Sequence, residues 1–362
     1  MFYPCSPTEL FVMSSLRNSS SMTSANLKPV GQPKVSVVIP AYNVEAYIAD
    51  TIQSVLDQTF EDFEIIVVID GSPDYSAYVC RQFTDRRIRI IEQENRGLAG
   101  ARNTGIRQAV GEYIAFLDGD DMWEPEKLEK HVQHLDAHPE VGVSFSRSKL
   151  FGGQSAAYLM SFTGKVDGKR LLCRNPISNG STPVVRRTVL EELGAMSETG
   201  EYFDESFRRN EDIDLWMRVA CLTDWELDGL PEALTCYRVN AEGLSASFYR
   251  QFDSWMEMVE KTAEYAPELV GECGALAKGY QYRALAQKAV MIGDGKAALD
   301  LANRSLASSW GILAEPRGTM LTVVAAYLLW AMPKSWFRPL LEVGFAVRTR
   351  SQAWQIRREV VA

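Results

Sequence analysis

The chain has 362 residues, 46% of them hydrophobic and 23% charged, and a formal net charge of −9. Such a composition suits one large α/β domain with an appendage, or two globular domains. The acidic balance argues against nonspecific nucleic-acid binding as the main work of the molecule.

Residues 1–33 are rich in Ser, Asn, Thr and Pro and lack a basic segment followed by a sustained apolar core. They predict a disordered leader rather than a secretory signal, with Met13 or Met22 as alternative starts. Val35-Ser36-Val37-Val38-Ile39 is a β-branched run ended by Pro40, the pattern of a buried strand. Asn43 is placed to cap the next helix, in which Ile48, Ile52, Val55 and Leu56 recur at helical spacing. A second strand, Glu64 to Ile69, stops at Asp70-Gly71-Ser72-Pro73-Asp74, and a third runs from Ile88 to Ile91. The next helix spans roughly Leu98 to Val110, its Ala101, Gly105 and Ala109 offering a narrow face for close packing.

The apolar run Tyr113 to Leu117 reads as a short buried strand, and Asp118-Gly119-Asp120-Asp121 brings three carboxylates to its end. That much negative charge costs folding energy unless a cation offsets it. A divalent metal carrying a phosphorylated ligand would do so, with Gly119 letting the backbone turn so that Asp118 and Asp120 converge. An acidic turn capping the helix that begins near Pro125 is the plainer alternative. All three histidines, His131, His134 and His138, fall in that helix and predict a solvated polar face. Acid–base chemistry elsewhere must then use carboxylates.

Strand, helix, strand, strand, helix, strand is the rhythm of a mostly parallel sheet, in which ligands sit at the carboxyl ends of strands. The polar clusters Tyr42-Asn43, Asp70-Gly71-Ser72, Asn95-Arg96-Gly97 and Asp118-Gly119-Asp120 all fall at such ends. That coincidence favours a nucleotide site over four unrelated turns. Beyond Pro139 the pattern loosens: a strand over Val141 to Ser146, a loop-rich stretch from Gly152 to Lys169, a short strand at Pro183-Val184-Val185 and a helix from Arg187 to Leu193. Glu201 to Asn210 reads as a loop near a pocket. In the helix after Asn210, Asp212 lies on the stripe of Leu215, Trp216 and Val219, where a general base would point inward. Asp214 and Arg218 are spaced to pair on another face, and capping by Asn210 with acids in the first turn is the plainer reading of this segment.

The six cysteines are scattered without CxxC spacing and predict reduced, mostly buried thiols in a cytosolic protein. Residues 250–310 read as helices. Ala284 to Met291, Gly293-Asp294-Gly295 and Ala297 to Leu306 resemble one tetratricopeptide unit, which cannot bury its own face and must pack elsewhere. Met320 to Met332 is almost wholly apolar yet short for a span. Residues 333–362 hold six Lys/Arg against two acids, interleaved with aromatic residues. This region predicts either a monotopic anchor on an anionic membrane face, peripheral on the cytoplasmic side, or a buried helix with a solvated tail.

Together these stretches resemble the family 2 glycosyltransferases of the GT-A fold. The resemblance covers about residues 34–245. It rests on Val35 to Asn43, Gln58-Thr59-Phe60, Glu64 to Val68, and Asn95-Arg96-Gly97-Leu98-Ala99-Gly100-Ala101-Arg102-Asn103. It also rests on Asp118-Gly119-Asp120, similar to the DxD motif, and on Glu211-Asp212, similar to the ED motif. It implies a GT-A domain over 34–250 (donor half 34–123, acceptor half 124–250), followed by a helical hairpin region at 251–315 and an apolar helix with a basic tail at 316–362. Implied with it is an inverting transfer from a nucleotide sugar, expected to be UDP-linked, to a saccharide or lipid-linked hydroxyl. Donor contacts are implied at Pro40, Tyr42, Asn43, Asp70, Arg102, Asp118 and Glu211, with Mg²⁺ or Mn²⁺ held by Asp120 and Asp212 as the base. Two departures stand out: Ile69 replaces an aspartate common in the family, and Asn240 stands where histidine is frequent. They leave a catalytically inactive nucleotide-sugar-binding or scaffold protein as the alternative.

Overall fold

The computed structural model describes residues 32–152, 157–159, 162–239, 248–314, 316–333, 336–337, 339, 351–352, 354–356 and 358–360. Nearly all of the expected leader, and Asn240, lie outside the described residues.

The first half of the sheet follows the predicted rhythm. Strand β1 (Val35–Ala41) is buried along its whole length, as expected for a β-branched run in a parallel sheet covered on both faces. It pairs in parallel with β2 (Phe63–Asp70) on one side and β4 (Tyr113–Phe116) on the other, and β3 (Ile88–Gln93) extends β2. Helix α1 (Ile48–Leu56) connects β1 to β2, α2 (Ser76–Cys80) follows β2, and α3 (Gly97–Gln108) connects β3 to β4. The narrow face of α3 is real: a Cβ on Gly105 would come within 2.2 Å of Val38 on β1.

The second half is built differently. After the two-residue β5 (Met122–Trp123) come α4 (Lys127–Ala137) and the eleven-residue β6 (Val141–Phe151). Short β7 (Ala157–Leu159) and β8 (Gly164–Val166) precede α5 (Gly168–Arg174), in the stretch that reads from sequence as loop. Then β9 (Val184–Arg186), α6 (Arg187–Met196) and α7 (Glu211–Leu222) lead to β10 (Glu226–Arg238). Among the described residues the strands form one sheet in the order β3-β2-β1-β4-β9-β6-β10-β5, with β7 against β6 and β8 against β10. Strand β9 is antiparallel to both neighbours, whereas β10 runs parallel to β6. Pairing of β10 with β6 slips between Gly229 and Ala233, which accommodates Pro231 inside a strand.

Helices α8 (Phe248–Tyr265), α9 (Pro267–Ile292), α10 (Gly295–Ser308) and α11 (Pro316–Ala331) complete the chain's named elements. At the α9–α10 corner Gly293 closes α9 in the left-handed conformation, and the Asp294 side chain accepts from Ala297 N at 3.0 Å to open α10. One hydrophobic cluster runs from Val38 and Phe116 in the sheet through Phe203 and Trp216 to Trp255, Ala286 and Leu301. The later helices therefore share their core with one face of the sheet, while α1 and α4 pack on the other.

Two expectations fail here. Asn43 does not cap α1: that helix starts after Tyr47, and Asn43 instead holds φ +56°, its N–H donating to Ser72 Oγ at 2.8 Å. Nor is the α4 histidine face solvated. His131 is fully buried, its Nδ1 2.7 Å from Ser144 Oγ and its Nε2 3.2 Å from Lys127 Nζ. His134 shares the same serine at 2.8 Å, and only His138 is exposed.

Candidate active site

The carboxyl ends of β1 and β2 are laced into one rim. Asp74 accepts from Ser72 Oγ (2.6 Å), Ser76 N (3.0 Å) and Glu45 N (2.9 Å), while Glu45 accepts from Tyr75 N (2.7 Å). Burial would raise the Asp74 carboxyl, but these donors outweigh it and hold it down at about 2. Tyr42 projects from this rim, half of its surface exposed. Pro40 is fixed in β1, and its carbonyl would lie 2.9 Å from a Cβ on Gly119. Gly119 is thus required by this close approach to β1 and not by a left-handed turn.

Asp70 has a different occupation from the one its motif suggests. Its buried carboxylate accepts from Arg96 N and Gly97 N at 2.9 Å each and from Gln93 Nε2 at 2.7 Å. It caps α3 from a neighbouring strand, where the negative charge also meets the positive end of the helix dipole.

That cap sets α3 in place, and one turn later α3 delivers Arg102 to the centre. Arg102 is wholly buried; its Nη2 donates to Asp118 at 2.6 Å and its Nη1 to Glu211 at 2.7 Å. Burial alone would lower the guanidinium pKa, but Asp118, Glu211 and Asp212 together raise it. The two acidic segments, remote in sequence, thus adjoin across one guanidinium. A loop closes over it so tightly that a Cβ on Gly180 would lie 2.2 Å from Arg102 Nη2.

The next residue, Ser181, locks the acidic turn. Its hydroxyl accepts from Asp118 N (3.0 Å) and donates to the buried Asp121 (2.6 Å), and its carbonyl accepts from Trp123 Nε1 (2.9 Å). Arg238, at the end of β10, donates its backbone N–H to Asp121 (2.8 Å) and its Nε to the Asp120 carbonyl (2.8 Å). Its guanidinium lies 4.4 Å from the ring centres of both Tyr47 and Phe151. Sequence reasoning gave neither residue a role. Only the fold sets the stretch Ser178 to Thr182 against Arg102 and Asp121.

Helix α7 begins without the expected side-chain cap: Asn210 has φ +61° and makes no capping hydrogen bond. Asp212 is half-buried, whereas Glu211 and Asp214 on either side are buried. Leu215, Trp216 and Val219 form the buried stripe as predicted, and Asp214 pairs with Arg218 and with Lys261 of α8, each at 2.9 Å. Burial raises the Glu211 carboxyl to about 7, against the pull of Arg102 and with the push of Asp212. Asp212 is raised as well, by burial first, Arg102 opposing and Asp118 adding. The helix dipole does not win there, and a raised carboxylate is the stronger base.

Residues 36–194 match the model of the family described as glycosyl transferase family 2. The chain is 30% identical over 238 residues to the Escherichia coli UDP-Glc:alpha-D-GlcNAc-diphosphoundecaprenol beta-1,3-glucosyltransferase WfgD, a match spanning 62% of this chain and 87% of that one. The protein belongs to the family 2 glycosyltransferases. Other relatives of this glycosyltransferase are longer. It is 33% identical over 215 residues to an uncharacterized glycosyltransferase of Rickettsia felis, covering 57% of this chain but 33% of that one. It is 42% identical over 124 residues to Streptococcus pneumoniae GlyA, covering 33% of this chain and 18% of GlyA. The fold is that of Staphylococcus aureus TarS 1–349 in complex with UDP-GlcNAc (TM-score 0.58, 18% identity, 82% of this chain and 90% of that one). It is also that of the Pyrobaculum calidifontis mannosyltransferase PcManGT in complex with GDP-Man and Mn²⁺ (TM-score 0.52, 22% identity, 84% and 88%). The architecture is therefore GT-A, a mostly parallel sheet with helices on both faces and a helical C-terminal region.

The donor set suits a hard divalent cation. Asp118, Glu211 and Asp212 surround Arg102, with Asp120 and Asp121 next along the acidic turn, and burial and mutual repulsion raise the carboxyls of Asp121, Glu211 and Asp212. Among the described residues no group of three or more His, Cys, Asp or Glu side chains is placed to hold a metal ion. Mg²⁺ and Mn²⁺ need no such group, since they bind through one or two carboxylates and complete their shell with phosphate and water oxygens.

Proposed function

We propose that this protein is an inverting glycosyltransferase. It would move a sugar from a nucleotide diphosphate donor, UDP-linked by preference, to a hydroxyl of a saccharide or lipid-linked acceptor. The observation that carries this reading is the Arg102 bridge, which sets the strand-end acids beside the N-terminus of α7. The names of WfgD and of the TarS complex support a UDP donor, and WfgD's also supports a lipid-linked acceptor.

In this mechanism the base lies against the rim of Tyr42, Asn43 and the 70–76 loop, with Pro40 and Asp70 shaping its floor. Asp118, Arg102 and Glu211 fix the geometry beneath the ribose and diphosphate. Arg238, aligned by the Asp120 carbonyl and two aromatic rings, adds positive charge on the diphosphate side. Asp120, with Asp118 nearby, would hold the metal ion; when bound, it offsets the charge that grows on the leaving diphosphate. Asp212 accepts the proton of the acceptor hydroxyl as the oxygen attacks the anomeric carbon from the face opposite the diphosphate. The anomeric C–O bond breaks in that step, and the nucleoside diphosphate departs with its electron pair. One displacement inverts the configuration.

The test is donor-dependent release of nucleoside diphosphate across a panel of acceptors. Asp212→Asn and Asp120→Asn are each expected to lower kcat by about a thousandfold or more. Unchanged turnover in both would reject these roles. Tight donor binding with no turnover on any acceptor would favour the scaffold alternative, to which the buried Ile69 lends its one structural argument.

A further inference from the structure

Helix α11 wears its polarity inside out. Residues 318–332 carry no charge, and within them Thr319, Thr322, Ala326 and Leu329 face inward. The two threonines are fully engaged there: Thr319 Oγ1 donates to the Ile312 carbonyl (2.9 Å) and accepts from Arg283 (3.1 Å), and Thr322 Oγ1 accepts from Gln287 (2.9 Å). The outward face is Met320, Leu321, Val324, Tyr327 and Leu328, with Trp330 beside it, and Leu321 is 71% exposed. Ordinary surface helices place their polar residues the other way round. A continuous exposed apolar face of this kind marks a contact surface.

The chain that follows suggests the occupant. The last thirty residues carry a surplus of four positive charges in a molecule whose net charge is −9. Of the two acids among them, Glu359 makes an ion pair with Arg147 of β6, and Gln352 is buried. Trp354 and Arg358 face outward together, the guanidinium 5.5 Å from the ring centre, and Trp336 is also exposed. Indole and guanidinium groups are side chains that settle at the headgroup level of a bilayer. No helix among the described residues is long and apolar enough to cross a membrane. At 16 residues α11 measures about 24 Å, short of a hydrocarbon core of about 30 Å.

We propose that the outward face of α11 docks the protein on the surface of an anionic phospholipid bilayer, lying on it without spanning it, the basic residues that follow it in the sequence supplying the charge attraction. A protein so placed would work at the interface where a lipid-linked acceptor resides. That consequence rests on the sugar-transfer reading, whereas docking itself does not and is measured without donor or acceptor.

The experiment is flotation of the full chain with phosphatidylcholine vesicles containing about one-third phosphatidylglycerol, against phosphatidylcholine alone. The wild-type protein is expected to float with the anionic vesicles at least about tenfold better than with the neutral ones, and less well as salt rises. Combined Leu321→Glu, Val324→Glu and Leu328→Glu is expected to abolish flotation while leaving the circular dichroism spectrum and donor hydrolysis unchanged. Quenching of wild-type tryptophan fluorescence by brominated acyl chains needs no variant, and decides the matter if the triple substitution does not fold. Absence of flotation, absence of quenching, or equal flotation of the folded triple variant would overturn the proposal. So would a dimer in light scattering that the three glutamates dissolve, since a second copy would then own this face.

Discussion

Two wholly buried cations flank the same short loop and have opposite fates. On one side Arg102 fits against Gly180; on the other Lys127 donates to the Thr182 carbonyl at 2.7 Å. Arg102 faces carboxylates and keeps its charge. Lys127 faces a carbonyl, the neutral His131 and the Trp123 ring, and burial drives its pKa well below the usual lysine value. Burial is common to both, so the counter-charge decides. The site uses the cation that has carboxylates to organise; the other, its charged form disfavoured by burial, props the loop through a carbonyl.

The largest difference should follow from removing each cation. Arg102→Met leaves the buried Glu211 and the half-buried Asp118 without their partner, with an expected loss of about 3–5 kcal/mol in stability and of measurable turnover. Denaturant unfolding with an activity assay checks both. Equal tolerance of Arg102→Met and Lys127→Met would erase the contrast.

A smaller effect is expected for Lys127→Met, within about 1 kcal/mol at neutral pH, because one hydrogen bond to a carbonyl is lost while the cost of burying the amine disappears. Its signature is the pH dependence. With the folded pKa depressed, the unfolded chain binds the proton more tightly, so wild-type stability rises with pH between the depressed folded value and 10.5, the usual lysine value. Urea midpoints of wild type and variant should therefore diverge with rising pH, the wild type gaining.

The finest test lies on Glu211. Below the ordinary glutamate value of 4.5 both folded and unfolded chains hold its proton. Between 4.5 and about 7 only the folded chain does, so its stabilising contribution is lost as pH rises through that window. Glu211→Gln should flatten this part of the melting-temperature profile by a few degrees. A profile with the same slope in both proteins would remove Glu211 from the account.

The two halves of the sheet were unequally legible. Strands β1 to β4 are apolar runs that end at polar turns in a regular strand–helix rhythm, and the acids at Asp118 and Glu211-Asp212 stand out as charge where a buried surface is due. Strand β10 escaped because Pro231 and its slipped register break the alternation that marks a strand. Ser181 and Arg238 escaped because their partners come from other elements: a serine in a loop carries no sign that it will bind Asp121. The capping assignments of Asn43 and Asn210 failed for a local reason, since both residues take the left-handed conformation that asparagine tolerates. The α4 histidines misled because spacing tells which residues share a face, but not whether that face meets water or Ser144.

Asp70 carries a consequence for reading any inactive variant. From the tip of β2 it grips the first amides of α3, and the arginine at the hub lies five residues further along the same rigid rod. Weakening that grip would let the rod slide or tilt and carry the guanidinium off its two acids, so sugar transfer would fail by leverage, quite apart from any change in the floor beneath the base.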